Sequence, residues 1–133
     1  YLALHGDIEF ILDTLPYAGG TTSGFALWMG VPVLTYSWPS LPGRAGNMWL
    51  SSVGLQDKFL AETETEFIEL AKSWSENINE LQSLRHQLRG RMQHGEMKPE
   101  NVARGLEKGL TMMWQRFCTG LPVESFSVPK AID

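Results

Sequence analysis

Residues 8–36 read IEFILDTLPYAGGTTSGFALWMGVPVLTY, and their order of strand, glycine turn, helix and strand decides the fold. The run Ile8-Glu9-Phe10-Ile11-Leu12-Asp13-Thr14 is apolar enough for a buried strand. Ser23 to Met29 is expected to form one or two helical turns, stopped by Gly30 where a left-handed residue is wanted. Val31-Pro32-Val33-Leu34-Thr35-Tyr36 reads as a second strand, with Pro32 near its start, where a missing N–H is tolerated. A helix between two strands predicts a βαβ unit and parallel pairing.

Between strand and helix lies Gly19-Gly20-Thr21-Thr22. A strand that feeds such a turn can hold a phosphate. The glycines let backbone approach the anion, and the free N–H groups of the helix start point at it. Thr21 and Thr22 add hydroxyl donors. A plain strand-to-helix turn with a Thr N-cap accounts for the same four residues. The stretch fits neither a Walker A loop nor G-x-G-x-x-G. Asp13, closing the first strand, is expected to bond loop N–H groups. Leu27 and Trp28 are expected to face the sheet, and Tyr17 and Trp38 to sit in loops at its ligand-facing edge.

Outward from this unit, Ser37 to Gly43 is an irregular loop with two prolines. Arg44 follows it, and Ala45 to Val53 is a helix stopped by Gly54. Thr63 with Glu66 forms a capping box. Phe67, Leu70, Ala71 and Trp74 make the apolar stripe of the helix it starts. Asn77 with Glu80 offers a second start, with Leu81, Leu84, Leu88 and Met92 as the stripe. A last helix begins at Pro99, and Val102, Leu106, Leu110, Met113 and Phe117 are expected on its buried face. Gly105 and Gly109 suggest close packing there. Residues 1–119 are expected to form one lobe and residues 120–133 an irregular tail.

At 133 residues the chain is long enough for a real core. A net charge of −4 argues against a dedicated nucleic-acid binder. Arg85, Arg89 and Arg91 are expected on a solvated face. The single cysteine, Cys118, excludes an internal disulfide, fits a reducing compartment and is expected to be a structural thiol. No apolar run reaches the ~18–20 residues of a membrane span, and no signal peptide is visible. The expected location is cytoplasmic. The opening Tyr1-Leu2-Ala3, without an initiator Met, suggests a piece of a longer protein. His5, His86 and His94 lack metal-ligand spacing, so no metal site is expected. No Asp-x-Asp pair and no Gly-x-Ser-x-Gly elbow occurs.

Taken together, Leu12-Asp13-Thr14, Pro16-Tyr17, Gly19-Gly20-Thr21-Thr22, Ala26-Leu27-Trp28 and Gly30-Val31-Pro32-Val33-Leu34-Thr35 resemble the C-terminal half of O-linked N-acetylglucosamine transferases of the SPINDLY type. The likeness continues through Tyr1-Leu2-Ala3, Arg44-Ala45-Gly46, Gly54-Leu55 and Met113-Trp114. It implies an α/β, Rossmann-like C-terminal half of a GT-B glycosyltransferase with a helical C-terminal part. It also implies an inverting, metal-independent transfer from UDP-N-acetylglucosamine to a Ser or Thr hydroxyl of a protein, with no separate cofactor. By the same resemblance, Thr21 and Thr22 match the pair that grips the diphosphate, Gly19 and Gly20 the turn before it, and Arg44 a family arginine. No catalytic residue is assigned, since the N-terminal lobe that completes the site is a missing partner. The isolated chain is expected to be inactive.

Three positions depart from the family pattern. Phe25 stands where many members carry an Asp that meets the ribose, Gly20 where many carry His, and Leu4 where many carry Arg. Each lost charge-assisted contact is worth about 1.5–3 kcal/mol. Two rivals therefore stand beside the donor-lobe reading. One is a non-catalytic nucleotide- or protein-binding scaffold with a degenerate donor site. The other is a transferase for a different nucleotide sugar, kept open by the Tyr36-Ser37-Trp38-Pro39 loop.

Overall fold

A computed structural model describes residues 1–129. The chain divides into two compact units, Tyr1–Gly95 and Glu96–Asp133, the second described as far as Pro129. The division falls ahead of the last helix, whereas the sequence pattern places a boundary at Gly120.

The first unit is built on the predicted βαβ. Strand β1 (Ile11–Leu12), helix α1 (Thr21–Trp28) and strand β2 (Val33–Tyr36) follow in order, and β1 pairs parallel to β2 with Ile11 opposite Val33. The first strand is shorter than the apolar run predicts. Leu2–Asp7 coils into a 3-10 helix, and Leu12 is half exposed. A third strand, β3 (Leu60–Ala61), adds parallel to the other side of β2 with Thr35 opposite Leu60. Two residues are too short a run to show any period, so the pattern does not reveal it.

Helix α1 begins two residues earlier than expected and ends one residue earlier, with Gly30 behind it as the expected stop. Gly30 has φ +86°; its N–H donates to the Leu27 carbonyl and the Val31 N–H to the Ala26 carbonyl. That is the Schellman arrangement, and it needs a residue without Cβ strain. Helix α2 (Ala45–Val53) ends the same way at Gly54, with φ +66°. A short α3 (Gln56–Phe59) leads into β3. Helix α4 (Glu64–Glu76) starts at the predicted Thr63 N-cap, with the reciprocal bond of the box shifted by one residue to Glu62. The Thr63 hydroxyl accepts from the Glu66 N–H at 3.1 Å, and the Glu66 carboxylate accepts from the Glu62 N–H at 2.8 Å. Replacing Thr63 by Ala is expected to cost about 1 kcal/mol, measured by urea unfolding. A loss of only a few tenths would show the box to be redundant.

The core lies between the sheet and helices α1, α2, α4 and α5 (Ile78–His94). Leu81, Leu84 and Leu88 are buried as their spacing requires, and Phe67, Leu70, Ala71 and Met92 pack at the margin. Phe59 stacks on Trp74 with ring centres 4.4 Å apart, and the Trp74 indole N–H donates to the Lys58 carbonyl. Lys58 also bonds Glu80 at 2.6 Å, which holds that carboxyl below the usual carboxylate range.

Of the three arginines of α5, Arg89 is exposed as its spacing suggests and Arg85 and Arg91 are half-buried, but all three are held by backbone carbonyls. Arg85 donates to the carbonyls of His5 and Ile8, Arg89 to Trp28 and Arg91 to Val53. Those carbonyls lie at the C-terminal ends of the 3-10 helix, α1 and α2, where backbone acceptors are left over and the helix dipole is negative. A guanidinium satisfies both. Trp28 differs from expectation for the same reason. It is 38 % exposed, with the Arg89 guanidinium 5.4 Å above its ring.

The second unit carries α6 (Pro99–Cys118), which starts at Pro99 as predicted. Its stripe is not a buried face: Val102, Leu106, Leu110, Met113 and Phe117 are between 47 and 74 % exposed. A period reveals that a helix has an apolar side, not what covers it. As far as Pro129, the tail runs back along α6. Arg116 bonds the Pro122 carbonyl and Glu124, Lys108 bonds the Pro129 carbonyl, and Val128 lies over Gly109, which explains that glycine. Among the described residues nothing lies within 4 Å of a Cβ placed at Gly105. Cys118 is a free, exposed thiol rather than a packed structural one. Among the described residues no helix is long and apolar enough to cross a membrane. The end of the predicted tail, residues 130–133, lies outside the described residues.

Candidate functional site

The βαβ unit brings the ends of β1 and β2 together at the start of α1. Asp13 leaves β1 there, buried, and its N–H bonds the Leu34 carbonyl. One carboxylate oxygen accepts from the Thr14 N–H at 2.9 Å and the Gly19 N–H at 2.7 Å. The other accepts from the Thr35 hydroxyl of β2 at 2.9 Å. Asp13 thus bonds loop amides, as its place at the strand end suggests, and adds a tie across the sheet.

This arrangement sorts the four turn residues. The Gly19 amide is taken by Asp13, so Gly19 shapes the turn. A Cβ at Gly19 would run into the hydroxyls of Ser23 and Thr22. Gly20 is the N-cap of α1, and no side chain caps the helix. The amides of Gly20, Thr21 and Thr22 have no acceptor among the described residues, and both threonine side chains are exposed. Three N–H groups and two hydroxyls therefore crowd the positive end of the α1 dipole, open to a ligand. A side chain at Gly20 would meet nothing within 4 Å.

Beside this turn lies a cavity of about 230 Å³ lined by Tyr1, Ile11, Leu12, Asp13, Thr14, Gly19, Thr22 and Ser23. Its polar wall is the Asp13 carboxylate with the α1 start, and its other wall is apolar. Phe25 stands nearby, 44 % exposed, with its ring edge-on to Tyr1 at 6.3 Å. Leu4 is exposed on the 3-10 helix. Arg44 is not among the lining residues; its guanidinium Nε donates to the Ser40 carbonyl at 3.4 Å and braces the Ser37–Gly43 loop. Tyr17 is largely exposed and accepts from the Thr14 hydroxyl through its carbonyl. Trp38 stacks edge-on with Tyr36, in the loop after β2.

Residues 5–98 match the model of glycosyl transferase family 41. The chain belongs to that family. It is 39 % identical over 114 residues to a probable UDP-N-acetylglucosamine–peptide N-acetylglucosaminyltransferase SPINDLY of Oryza sativa subsp. japonica, covering 85 % of this chain. A probable enzyme of the same activity from Arabidopsis thaliana, SEC, is 29 % identical over 121 residues, or 90 % of this chain. Among solved structures, a mutant of the Thermobaculum terrenum O-GlcNAc transferase superposes with a TM-score of 0.79 and 38 % identity, covering 90 % of this chain and 23 % of that one. The family 41 chain described here spans only 12 % of the length of either plant relative. Its fold is the α/β, Rossmann-like C-terminal half of a GT-B glycosyltransferase with a helical C-terminal part, as the family resemblance implies.

The sequence pattern points to this turn through Gly19–Thr22 but does not single out Ser23, Leu12 and Thr35. Ser23 and Leu12 line the cavity because the turn folds back over the end of β1. Thr35 is a polar residue inside an apolar strand, and that was the available signal: a buried hydroxyl in a strand needs a partner.

Proposed function

We propose that this chain is the nucleotide-sugar-binding lobe of a protein O-glycosyltransferase, taking a UDP-sugar, UDP-N-acetylglucosamine by its family likeness. Residues 1–119 form that lobe and residues 120–133 its tail. The acceptor is a Ser or Thr of another protein, and the transfer is inverting and metal-independent, in the cytoplasm. The observation that carries this reading is the uncapped start of α1, with unpartnered amides at Gly20, Thr21 and Thr22 beside the cavity. There the amides and hydroxyls of Thr21 and Thr22 hold the diphosphate. They stabilise the negative charge that grows on it as the sugar C1–O bond breaks. Gly19 shapes the turn, and Arg44 braces the neighbouring loop. Catalysis requires groups from a second, N-terminal lobe. Apolar surface for further contacts is present in the α6 stripe.

The test is a titration of UDP into the chain, followed by amide chemical shifts. Shifts are expected at Gly20, Thr21 and Thr22. The double variant Thr21→Ala, Thr22→Ala should bind at least about tenfold more weakly, the loss expected for one hydrogen bond to a charged group. Equal shifts in both proteins would falsify the reading.

One observation favours a second reading, a scaffold with a degenerate donor site. The Phe25 ring, packed against Tyr1, cannot accept a hydroxyl hydrogen bond where many family members carry a carboxylate. A full-length protein that hydrolyses no nucleotide sugar but still retains a protein partner would support it.

A further inference from the structure

We propose that Asp13 is the positioning residue of the anion-binding turn, acting through Gly19; this rests on the donor-lobe reading above. Asp13 is 9 % exposed and lines the same cavity as Thr22. A negative charge there opposes a diphosphate, so its presence needs a reason. The hydrogen bonds supply one. Asp13 is the only described side chain that joins the end of β1 to both the turn and β2: Thr14 and Gly19 on one oxygen, Thr35 on the other. Thr35 is itself pinned, 1 % exposed, with Gly46 of α2 so close that a Cβ there would overlap its side chain. The chain therefore runs from α2 through Thr35 and Asp13 to Gly19. The residue after Gly19 is the N-cap of α1.

Two consequences follow. Holding the Gly19 N–H inward leaves the next three amides, those of Gly20, Thr21 and Thr22, as the outward set. Fixing them before the ligand arrives removes an ordering cost from binding. In addition, the three accepted hydrogen bonds draw the Asp13 charge toward the protein, so that it is partly neutralised where it faces the cavity. Asp13 touches no ligand in this scheme.

The chemistry allows a sharp separation of geometry from charge. In Asp13→Asn the amide oxygen can still accept from Thr14 and Gly19. The amide nitrogen can donate to the Thr35 hydroxyl, which turns from donor to acceptor. In Asp13→Ala all three bonds are lost. Both variants are compared with wild type by amide hydrogen exchange and shifts of Gly19 to Thr22 without ligand, then by UDP titration. Circular dichroism melting accompanies both, to show that each variant is folded.

Asp13→Ala is expected to speed exchange of the Gly19 amide and to move the Thr21 and Thr22 resonances. It should weaken UDP binding at least tenfold while the protein still melts cooperatively. Asp13→Asn is expected to restore the ligand-free turn and to bind UDP within about twofold of wild type, or more tightly. Asn binding as weakly as Ala would overturn the proposal, since charge and not geometry would then act. So would an Ala variant whose turn resonances and UDP affinity match wild type. If Ala fails to fold, Thr35→Val serves in its place. It removes only the bond to the second oxygen and is expected to loosen the Gly19 amide in the same direction; an unaltered turn in that variant overturns the proposal. If wild type shows no UDP response at Thr21 and Thr22, the donor-site reading falls. The ligand-free readout still decides whether Asp13 orders the turn.

Discussion

Phe59→Ala is expected to destabilise the chain by about 3–5 kcal/mol, the range for emptying a fully buried aromatic site. Phe59 is wholly buried and stacks on Trp74 at 15° between ring planes. It sits at the junction of α3 and β3, just before the strand that completes the sheet. Removing it leaves a void against Trp74, an indole whose N–H is already committed to the Lys58 carbonyl and which cannot swing to fill the space. Natural domains hold only about 5–15 kcal/mol in total, so a large share of the stability goes with this one ring. Phe59→Leu keeps most of the volume and should lose less than half as much. Urea unfolding followed by far-UV circular dichroism reads both. A loss below about 1 kcal/mol for the Ala variant would mean that the site collapses, and that the stack is not central to the core.

Gly30→Ala is expected to cost about 3 kcal/mol from two separate causes. The left-handed conformation costs a residue with a Cβ roughly 1–2 kcal/mol. The new Cβ would also lie 2.7 Å from the Arg85 carbonyl, a backbone atom of α5 that cannot turn aside. Overpacking of this kind costs about 1–3 kcal/mol. Gly54 separates the two causes. It has φ +66° but, among the described residues, nothing within 4 Å of a Cβ, so Gly54→Ala should show the conformational cost alone. Equal losses at both positions would mean that α5 gives way, and that its approach to the end of α1 is loose.

Local signals in the chain carry much of this fold. Gly30 and Gly54 mark helix ends because only glycine is at ease with their φ values. Thr63 and Glu66 mark a helix start because side-chain oxygens satisfy amides that the helix cannot. The stripes Leu81, Leu84, Leu88 and Phe67, Leu70, Trp74 mark apolar faces through their period, and the fold covers them. Gly19-Gly20-Thr21-Thr22 is legible as a strand-to-helix turn because its glycines and hydroxyls are contained in four adjacent residues. Strand β3 is not legible, since two residues carry no period and owe their pairing to β2. The α5 arginines mislead for a related reason. Their spacing suggests solvent, but their partners lie far away in sequence, Arg85 with His5 and Arg89 with Trp28.

What the amino-acid order determined by itself is therefore whatever depends on near neighbours: the βαβ unit, the helix ends, the glycine turn and the family likeness. Folding in three dimensions decided which groups of that turn stay available. It placed the Asp13 carboxylate against the Gly19 amide and left those of Gly20, Thr21 and Thr22 open. It also joined Asp13 to Thr35, 22 residues away. A hydrogen bond depends on where two groups finish in space, and no local pattern records that for partners on different strands.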